Sequence, residues 1–262
     1  MSTLNRQEFN YLRDLFAAHT GIDFNDRAKL ERLLNRRAVR INCKSLREYL
    51  KRLKKDKKEL VYAIEAITIN ETLFFRNSDQ FDLIKKYFSQ TIGTDPFRIW
   101  SVAASTGQEP YSLAMLACDL GYTNVRIMAT DINRTVLEYA ASGLYSQAEI
   151  SRTEPDYMSC ITRYTEKTTT GYRIKDCIKN MVTFKNFNLI NLTPVSFKNP
   201  LDMIICKNVF IYFTAETREH LFDCFYKLLK KNGALFLGLC ESMPPKYHRR
   251  FKPLKKGAHI RL

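Results

Sequence analysis

The sequence predicts an α/β fold, a doubly wound and largely parallel sheet with helices on both faces, preceded by a small all-helical domain. Three observations predict it. From about residue 5 to about residue 70 every apolar repeat has helical spacing. Beyond about Phe75, short strand-like apolar runs alternate with helical ones, the pattern of a parallel sheet with crossover helices. The first of those strands, inside "RIWSVAASTGQEPYSLAML" (Arg98 to Leu116), breaks at a small-residue turn straight into a helix, the layout of a nucleotide-binding corner.

The helical part comes first. Phe9, Leu12, Leu15 and Phe16 share one face, and their pattern stops at Gly21. Leu30, Leu33, Leu34, Ala38 and Ile41 make a second stripe. A third helix opens at Ser45-Leu-Arg-Glu48, a capping box in which the serine hydroxyl and the glutamate each take a free first-turn amide; it buries Leu46, Tyr49, Leu50 and Leu53. On the second helix Lys29, Arg32, Arg36 and Arg40 recur at three and four residues, opposite the apolar stripe, as a basic ridge. The ridge reads equally as a docking face and as a solvated face that keeps the domain soluble.

The second part reads strand by strand. "FRIWSVAA" is a strand, "EPYSLAMLACDLG" a helix closed by Gly121, "NVRIMATD" a strand and "RTVLEYAASG" a helix. "MVTFKNF" and "LDMIICKN" are strands. "AETREHLFDCFYKLLKKNG" is a long helix with Gly233 just past its end, and "ALFLGLC" and "AHIRL" are closing strands. The closing pair is expected to be antiparallel, because the link from Glu241 to Gly257 holds three prolines and no clear helix. Domain bounds of 1–75 and 76–262 follow from the change of texture.

Composition limits the function classes. No run approaches the roughly 20 apolar residues of a membrane span, and the first residues lack a basic stretch followed by an apolar one, so a cytoplasmic protein without membrane insertion is expected. Seven cysteines are scattered singly, without CxxC pairs, and the four histidines stand apart, which argues against a disulfide framework or a metal site. The net charge of +15 steers acidic partners; it concentrates between Asp26 and Leu60 and again in "KYHRRFKPLKK".

The corner decides the ligand class. In dinucleotide folds the first turn brings backbone amides to a pyrophosphate, and an acid ending the second strand takes the ribose hydroxyls about 20 residues later. Asp131 ends "RIMATD" in that position, which also suits a helix N-cap. Ala103, Ala104 and Ser105 carry Cβ atoms where close approach to a pyrophosphate is wanted, and no GKS or GKT follows. A nucleoside cofactor without phosphates fits better, and S-adenosylmethionine is the obvious one.

Five segments now carry a resemblance: "TINETLFFRNSDQFDLI", "WSVAASTGQEPYSLAML", "MATDINRTVLEYAASGLYS", "DMIICKNVFIYF" and "LFLGLCES". In order and approximate spacing the chain resembles the CheR-type chemoreceptor (protein-glutamate O-) methyltransferases over nearly its whole length. "NETLFFR" and "NVFIYF" are the most specific. The resemblance implies a class I S-adenosylmethionine-dependent methyltransferase, with a Rossmann-like sheet, a small all-α N-terminal domain that contacts the receptor, and a short β-insertion near 160–176. It implies cofactor contacts from Asn70, Thr72 and Arg76, from Glu109, from Asp131, from Asn188 and Leu189, and from Lys207 and Asn208. Arg76 and Tyr212 fall at the reacting centre by the same carry-over; a core role for a strand-end tyrosine is the competing reading of Tyr212.

The expected activity is methyl esterification of glutamates on the cytoplasmic methylation helices of methyl-accepting chemotaxis proteins, without metal. Lys29, Arg32, Arg36 and Arg40 would contact those acidic helices. Relatives tethered to a receptor C-terminal pentapeptide carry a glycine-rich insertion loop; here "ITRYTEKTTTGYRIK" has only Gly171, so pentapeptide-independent action is expected. The chain departs from the family pattern at Ala103-Ala104-Ser105, where Gly-Cys-Ser is usual, at Gln108 in place of Glu, at Lys207 in place of Arg, and at Leu239 in place of His. Lysine cannot make arginine's forked contact, so a catalytically weakened, cofactor-binding scaffold is the alternative. A nucleic-acid methyltransferase ranks last, since no Asn-Pro-Pro-Tyr-like loop is present to hold a flipped base.

Overall fold

The structure is a computed structural model that describes residues 3–262 apart from 92, 94 and 256. Its elements run α1 (Arg6–Thr20), α2 (Arg27–Arg40), α3 (Leu46–Leu53), α4 (Lys57–Ile67), α5 (Ser78–Thr91), β1 (Phe97–Val102), α6 (Gln108–Asp119), β2 (Val125–Asp131) and α7 (Arg134–Ser142). Then follow β3 (Leu144–Tyr145), α8 (Gln147–Ile150), α9 (Pro155–Tyr164), β4 (Thr165–Lys167), β5 (Tyr172–Ile174), α10 (Asp176–Lys179) and β6 (Val182–Asn186). The chain closes with β7 (Leu201–Cys206), α11 (Ala215–Leu228), β8 (Leu229–Leu237), β9 (Phe251–Pro253) and β10 (Ala258–Arg261).

Helices α1 to α4 enclose their own core of Leu12, Phe16, Leu30, Leu34, Leu46, Tyr49 and Ile64. The apolar stripes read from the sequence supply most of it, and Gly21 ends α1 in the left-handed conformation (φ 72°). Only half of the expected capping box forms on α3. Ser45 Oγ accepts from Glu48 N, while the Glu48 carboxylate reaches past the cap to Lys44 N at 2.7 Å.

The main sheet has the order β6-β2-β1-β7-β8-β10-β9. Its first five strands are parallel, and β10 pairs antiparallel with β8, as expected for the closing strands. Alternation sends Ile99, Ile127 and Met203 to one core, with α5 and α6, and Trp100, Ile204 and Leu235 to the other, with α11. A second sheet, β3-β5-β4, takes β4 and β5 from the expected insertion near 160–176 and β3 from ahead of it.

Two sequence expectations need correction. α11 stops at Leu228, and Gly233 is no helix cap: it lies inside β8, where a Cβ would stand 2.8 Å from Lys230 O. The apolar period of the helix runs directly into that of the strand, so no punctuation marks the join. The proline-rich link also holds an edge strand, β9, paired antiparallel with β10. Pro253 suits that edge, since an edge strand needs no amide on its open side.

Candidate functional site

Strand order reverses between β1 and β7, and a crevice opens beyond the carboxyl ends of strands at such a point. Here the helical domain roofs it, leaving a cleft of about 220 Å³. Two seams fix the roof. On one side Ile22 bridges Phe213, Asp23 N donates to Tyr212 O (2.8 Å) and Thr214 N to Gly21 O (2.9 Å). On the other, Glu65 at the end of α4 accepts from Arg134 N and Thr135 Oγ1 at the start of α7.

The floor is the β1–α6 corner. Ala103 (φ 52°), Ser105 (φ 51°) and Gly107 (φ 90°) all take the left-handed region, so this glycine-poor turn has the backbone of a glycine-rich one. Asp131 holds it in place: its two carboxylate oxygens accept from Ser105 N and Asn133 N, each at 2.9 Å. The cap of α7 is Asn133, which leaves Asp131 to the cleft. Burial lifts the Asp131 carboxyl above the ordinary range, and the Asn133 and Ser105 amides oppose that lift. Ser105 Oγ in turn donates to Asn70 O, tying the "NETLFFR" segment to the corner.

The opposite wall is cationic. Arg76 sits between two left-handed residues, Phe75 (φ 52°) and Asn77 (φ 65°), and its guanidinium donates to Glu71 O at 3.0 Å. Phe75 is anchored by its amide on Ser112 Oγ. Lys207 is 4% exposed, pairs with Glu109 at 3.1 Å and donates to Arg76 O. The second Glu109 oxygen accepts from Ser101 Oγ at 2.8 Å. Tyr212 lines the same cleft, with Lys29 Nζ 5.8 Å from its ring centre. Burial, seconded by Glu71, raises its phenol above the ordinary value, with Arg76 opposing.

All the carried-over residues Asn70, Thr72, Arg76, Glu109, Asp131, Asn188, Leu189, Lys207, Asn208 and Tyr212 line this one cleft. Asn188 is spent largely on structure, donating to His19 O and capping a 3-10 turn through Ile190 N. Of the ridge, only Lys29 reaches the cleft; Arg32, Arg36 and Arg40 line a separate shallow groove with Asn35 and Val39, farther along α2. Sequence reasoning missed Asn133, which donates to Thr68 Oγ1, and Glu241, which gathers backbone amides from the ends of β7 and β8. Asn133 follows Asp131 by two residues, a usable signal; Glu241 stood in a quoted motif with no role attached.

The arrangement fits a nucleoside ligand with a charged tail. Asn208 Oδ1 is buried in the cleft wall and accepts no hydrogen bond from the described residues, so a donor from a ligand would satisfy it. Asp131 offers acceptor capacity beyond its two amides. Among the described residues no group of three His, Cys, Asp or Glu side chains is placed to hold a metal ion, and no helix is long and apolar enough to cross a membrane.

Comparison with known proteins adds the family. Residues 7–68 match the model for the CheR methyltransferase all-alpha domain, and residues 70–260 that for the CheR methyltransferase SAM-binding domain. The chain is 32% identical over 249 residues to chemotaxis protein methyltransferase 2 of Vibrio cholerae, covering 90% of this chain and 85% of that one. It is 31% identical over 257 residues to the chemotaxis protein methyltransferase of Borreliella burgdorferi, covering 92% and 89%. The Escherichia coli chemotaxis protein methyltransferase is 37% identical over 186 residues, 68% of this chain and 63% of that one. Two contiguous family models laid over a two-part fold, with the cleft between the parts, place this chain in the CheR methyltransferase family.

Proposed function

We propose that this protein is a cytoplasmic protein-glutamate O-methyltransferase that esterifies glutamates on the cytoplasmic helices of chemoreceptors, independently of a pentapeptide tether. The observation that carries the reading is the convergence of Asp131, Arg76 and Tyr212 on one cleft roofed by a basic domain. S-adenosylmethionine supplies a methyl group on a sulfonium sulfur, a centre open to direct displacement by a carboxylate. Asp131 would hold its ribose, and Asn70, Thr72, Glu109, Leu189, Lys207 and Asn208 the rest. Asn188 would act chiefly by fixing the roof above it.

The chemistry asks little of the protein beyond placement. An acceptor glutamate, with an ordinary pKa of about 4.3, is already ionised near neutral pH, so no general base is needed. Tyr212 cannot serve as one in any case, since burial keeps its proton on. Arg76 can hold the entering carboxylate through a forked pair of hydrogen bonds. The acceptor loses its charge as the ester forms, so a cleft that excludes water favours the product side. Alignment of this kind supplies roughly 7 to 11 kcal/mol of barrier lowering. Lys29 at the mouth, with Arg32, Arg36 and Arg40 continuing along α2, suits an acidic helical acceptor.

The test is transfer of a labelled methyl group to a chemoreceptor cytoplasmic fragment, with alkali-labile label on glutamate as the readout. Arg76→Ala should lower kcat/KM by about 100-fold or more, the scale of a misplaced reactant. Protein that binds S-adenosylhomocysteine but labels no receptor glutamate would overturn the reading in favour of a silent scaffold. Stable label on RNA would overturn it in favour of a nucleic-acid substrate.

A further inference from the structure

We propose that Glu241 is a positioning residue for this site: its single buried carboxylate sets the backbone of residues 208–212, and through it the placement of Asn208 and Tyr212. The inference rests on the functional reading above and asks what holds that reading's residues in place.

Glu241 is 8% exposed, and its carboxylate collects amides from the segments that follow two strands. Oε2 accepts from Gly238 N at 2.7 Å and Asn208 N at 2.9 Å; Oε1 accepts from Val209 N at 2.7 Å and, more weakly, Ile211 N at 3.4 Å. Three of these donors follow β7 and one follows β8. The segment they hold leaves β7 through Asn208 in the left-handed region (φ 61°), a sharp turn that asparagine tolerates and that the Glu241 hydrogen bonds pin on both sides. Hydrogen bonds to an ionised acceptor are the strong class, and Glu241 supplies several to one short turn.

The clamp has a built seat. A Cβ on Gly238 would stand 2.6 Å from Glu241 Oε2 and 2.9 Å from Asn208 N, so glycine at 238 is what lets carboxylate and amide meet. What the clamp holds faces the cleft: Asn208, with its unsatisfied Oδ1, and Tyr212, whose carbonyl carries the inter-domain seam through Asp23 N. Glu241 itself does not line the cleft, so it acts through these residues and not on a ligand.

The experiment compares wild type, Glu241→Gln and Gly238→Ala, and the double variant, at a temperature where circular dichroism shows each folded. The glutamine amide turns donors toward two backbone N–H groups, and the alanine pushes the carboxylate off its seat. Each should weaken S-adenosylhomocysteine affinity about tenfold or more and lower kcat, while binding of the receptor fragment to the α2 ridge stays as in wild type. A global stability role would change neither quantity per folded molecule. The double variant should be no worse than the poorer single one, because both break one device. Wild-type affinity and kcat in folded Glu241→Gln, or in Gly238→Ala should Glu241→Gln not fold, would overturn the proposal. Failure of wild type to bind S-adenosylhomocysteine would instead overturn the cofactor reading, and this inference with it.

Discussion

Asp131 shows how far one side chain's environment can be turned into a measurement. Its carboxyl lies above the ordinary aspartate range because burial disfavours the charge, the Asn133 and Ser105 amides notwithstanding. A folded-state value above the unfolded one, about 3.9, means that this group favours folding in acid and withdraws that help as pH rises through the folded value. Ligand hydroxyls that donate to the carboxylate stabilise its ionised form, so binding expels a proton. S-adenosylhomocysteine affinity should therefore fall as pH falls through the raised folded-state value, with proton release visible by titration calorimetry in buffers of different ionisation enthalpy. Asp131→Ala should lose about tenfold or more in affinity, one charge-assisted hydrogen bond's worth, and equal binding by the two proteins would undo the assignment. The sequence announced Asp131 by its place at a strand end. Asn208 came only through the family resemblance, and its left-handed turn and unsatisfied oxygen are features that only the folded chain reveals.

At the scale of elements, α2, α3 and α4 are joined by a buried ion pair that no spacing rule predicts. Arg37 forks onto Glu59 with two 2.8 Å bonds, and Tyr49 donates to the same carboxylate at 2.8 Å. Burial alone would raise the Glu59 carboxyl, but the Arg37 and Tyr49 hydrogen bonds outweigh it and hold it below its ordinary value. A lowered value contributes stability above the unfolded glutamate range, about 4.3, and loses it as pH falls through the folded value. Arg37→Met, which strands Glu59 at 3% exposure, should cost about 3 to 5 kcal/mol near neutral pH, and the gap from wild type in urea midpoint should narrow in acid. The apolar stripes of these helices were legible because burial obeys a period; the pair was not, since Arg37 and Glu59 are 22 residues apart. The β1–α6 corner is the converse case. Its composition argued against a glycine-type loop, yet Ala103 adopts φ 52°, and the left-handed region costs a non-glycine residue roughly 1 to 2 kcal/mol. Ala103→Gly removes that strain against an entropy cost of about 0.5 to 1 kcal/mol, so the melting temperature should hold or rise slightly. A clear drop would show that the alanine methyl packs usefully.

For the whole molecule, the question is how two separately cored parts make one cleft. The alternation of strands and helices foretold the sheet and its switch point, and the helical spacing of the first 70 residues foretold a separate all-helical part. The docking itself was illegible, because it is made by backbone: Asp23 N on Tyr212 O, Thr214 N on Gly21 O, and the bridge of Ile22 with Phe213. Only Gly21 leaves a trace in sequence, and there as a helix stop. Its second duty is contact, since a Cβ at 21 would lie 2.7 Å from both Thr217 Cγ2 and Oγ1. Gly21→Ala therefore meets two separable penalties, left-handed strain at φ 72° of roughly 1 to 2 kcal/mol and a collision with α11. The collision pushes the roof from the floor, moving Ile22, Asp23 and Asn25, which line the cleft. Methyl transfer should fall and limited proteolysis within residues 21–26 should quicken, while the melting of the sheet domain changes little. Thr217→Ala deletes the two nearest colliding atoms and keeps the threonine's backbone amide on Thr214, so in the Gly21→Ala background it should restore part of the activity and leave the strain and a tight 3.1 Å approach to Ile190 Cγ2. Full activity in Gly21→Ala, or no recovery on adding Thr217→Ala, would mean that the roof is held by the Glu65 seam alone and that the α1–α2 turn is free to move without consequence for the site.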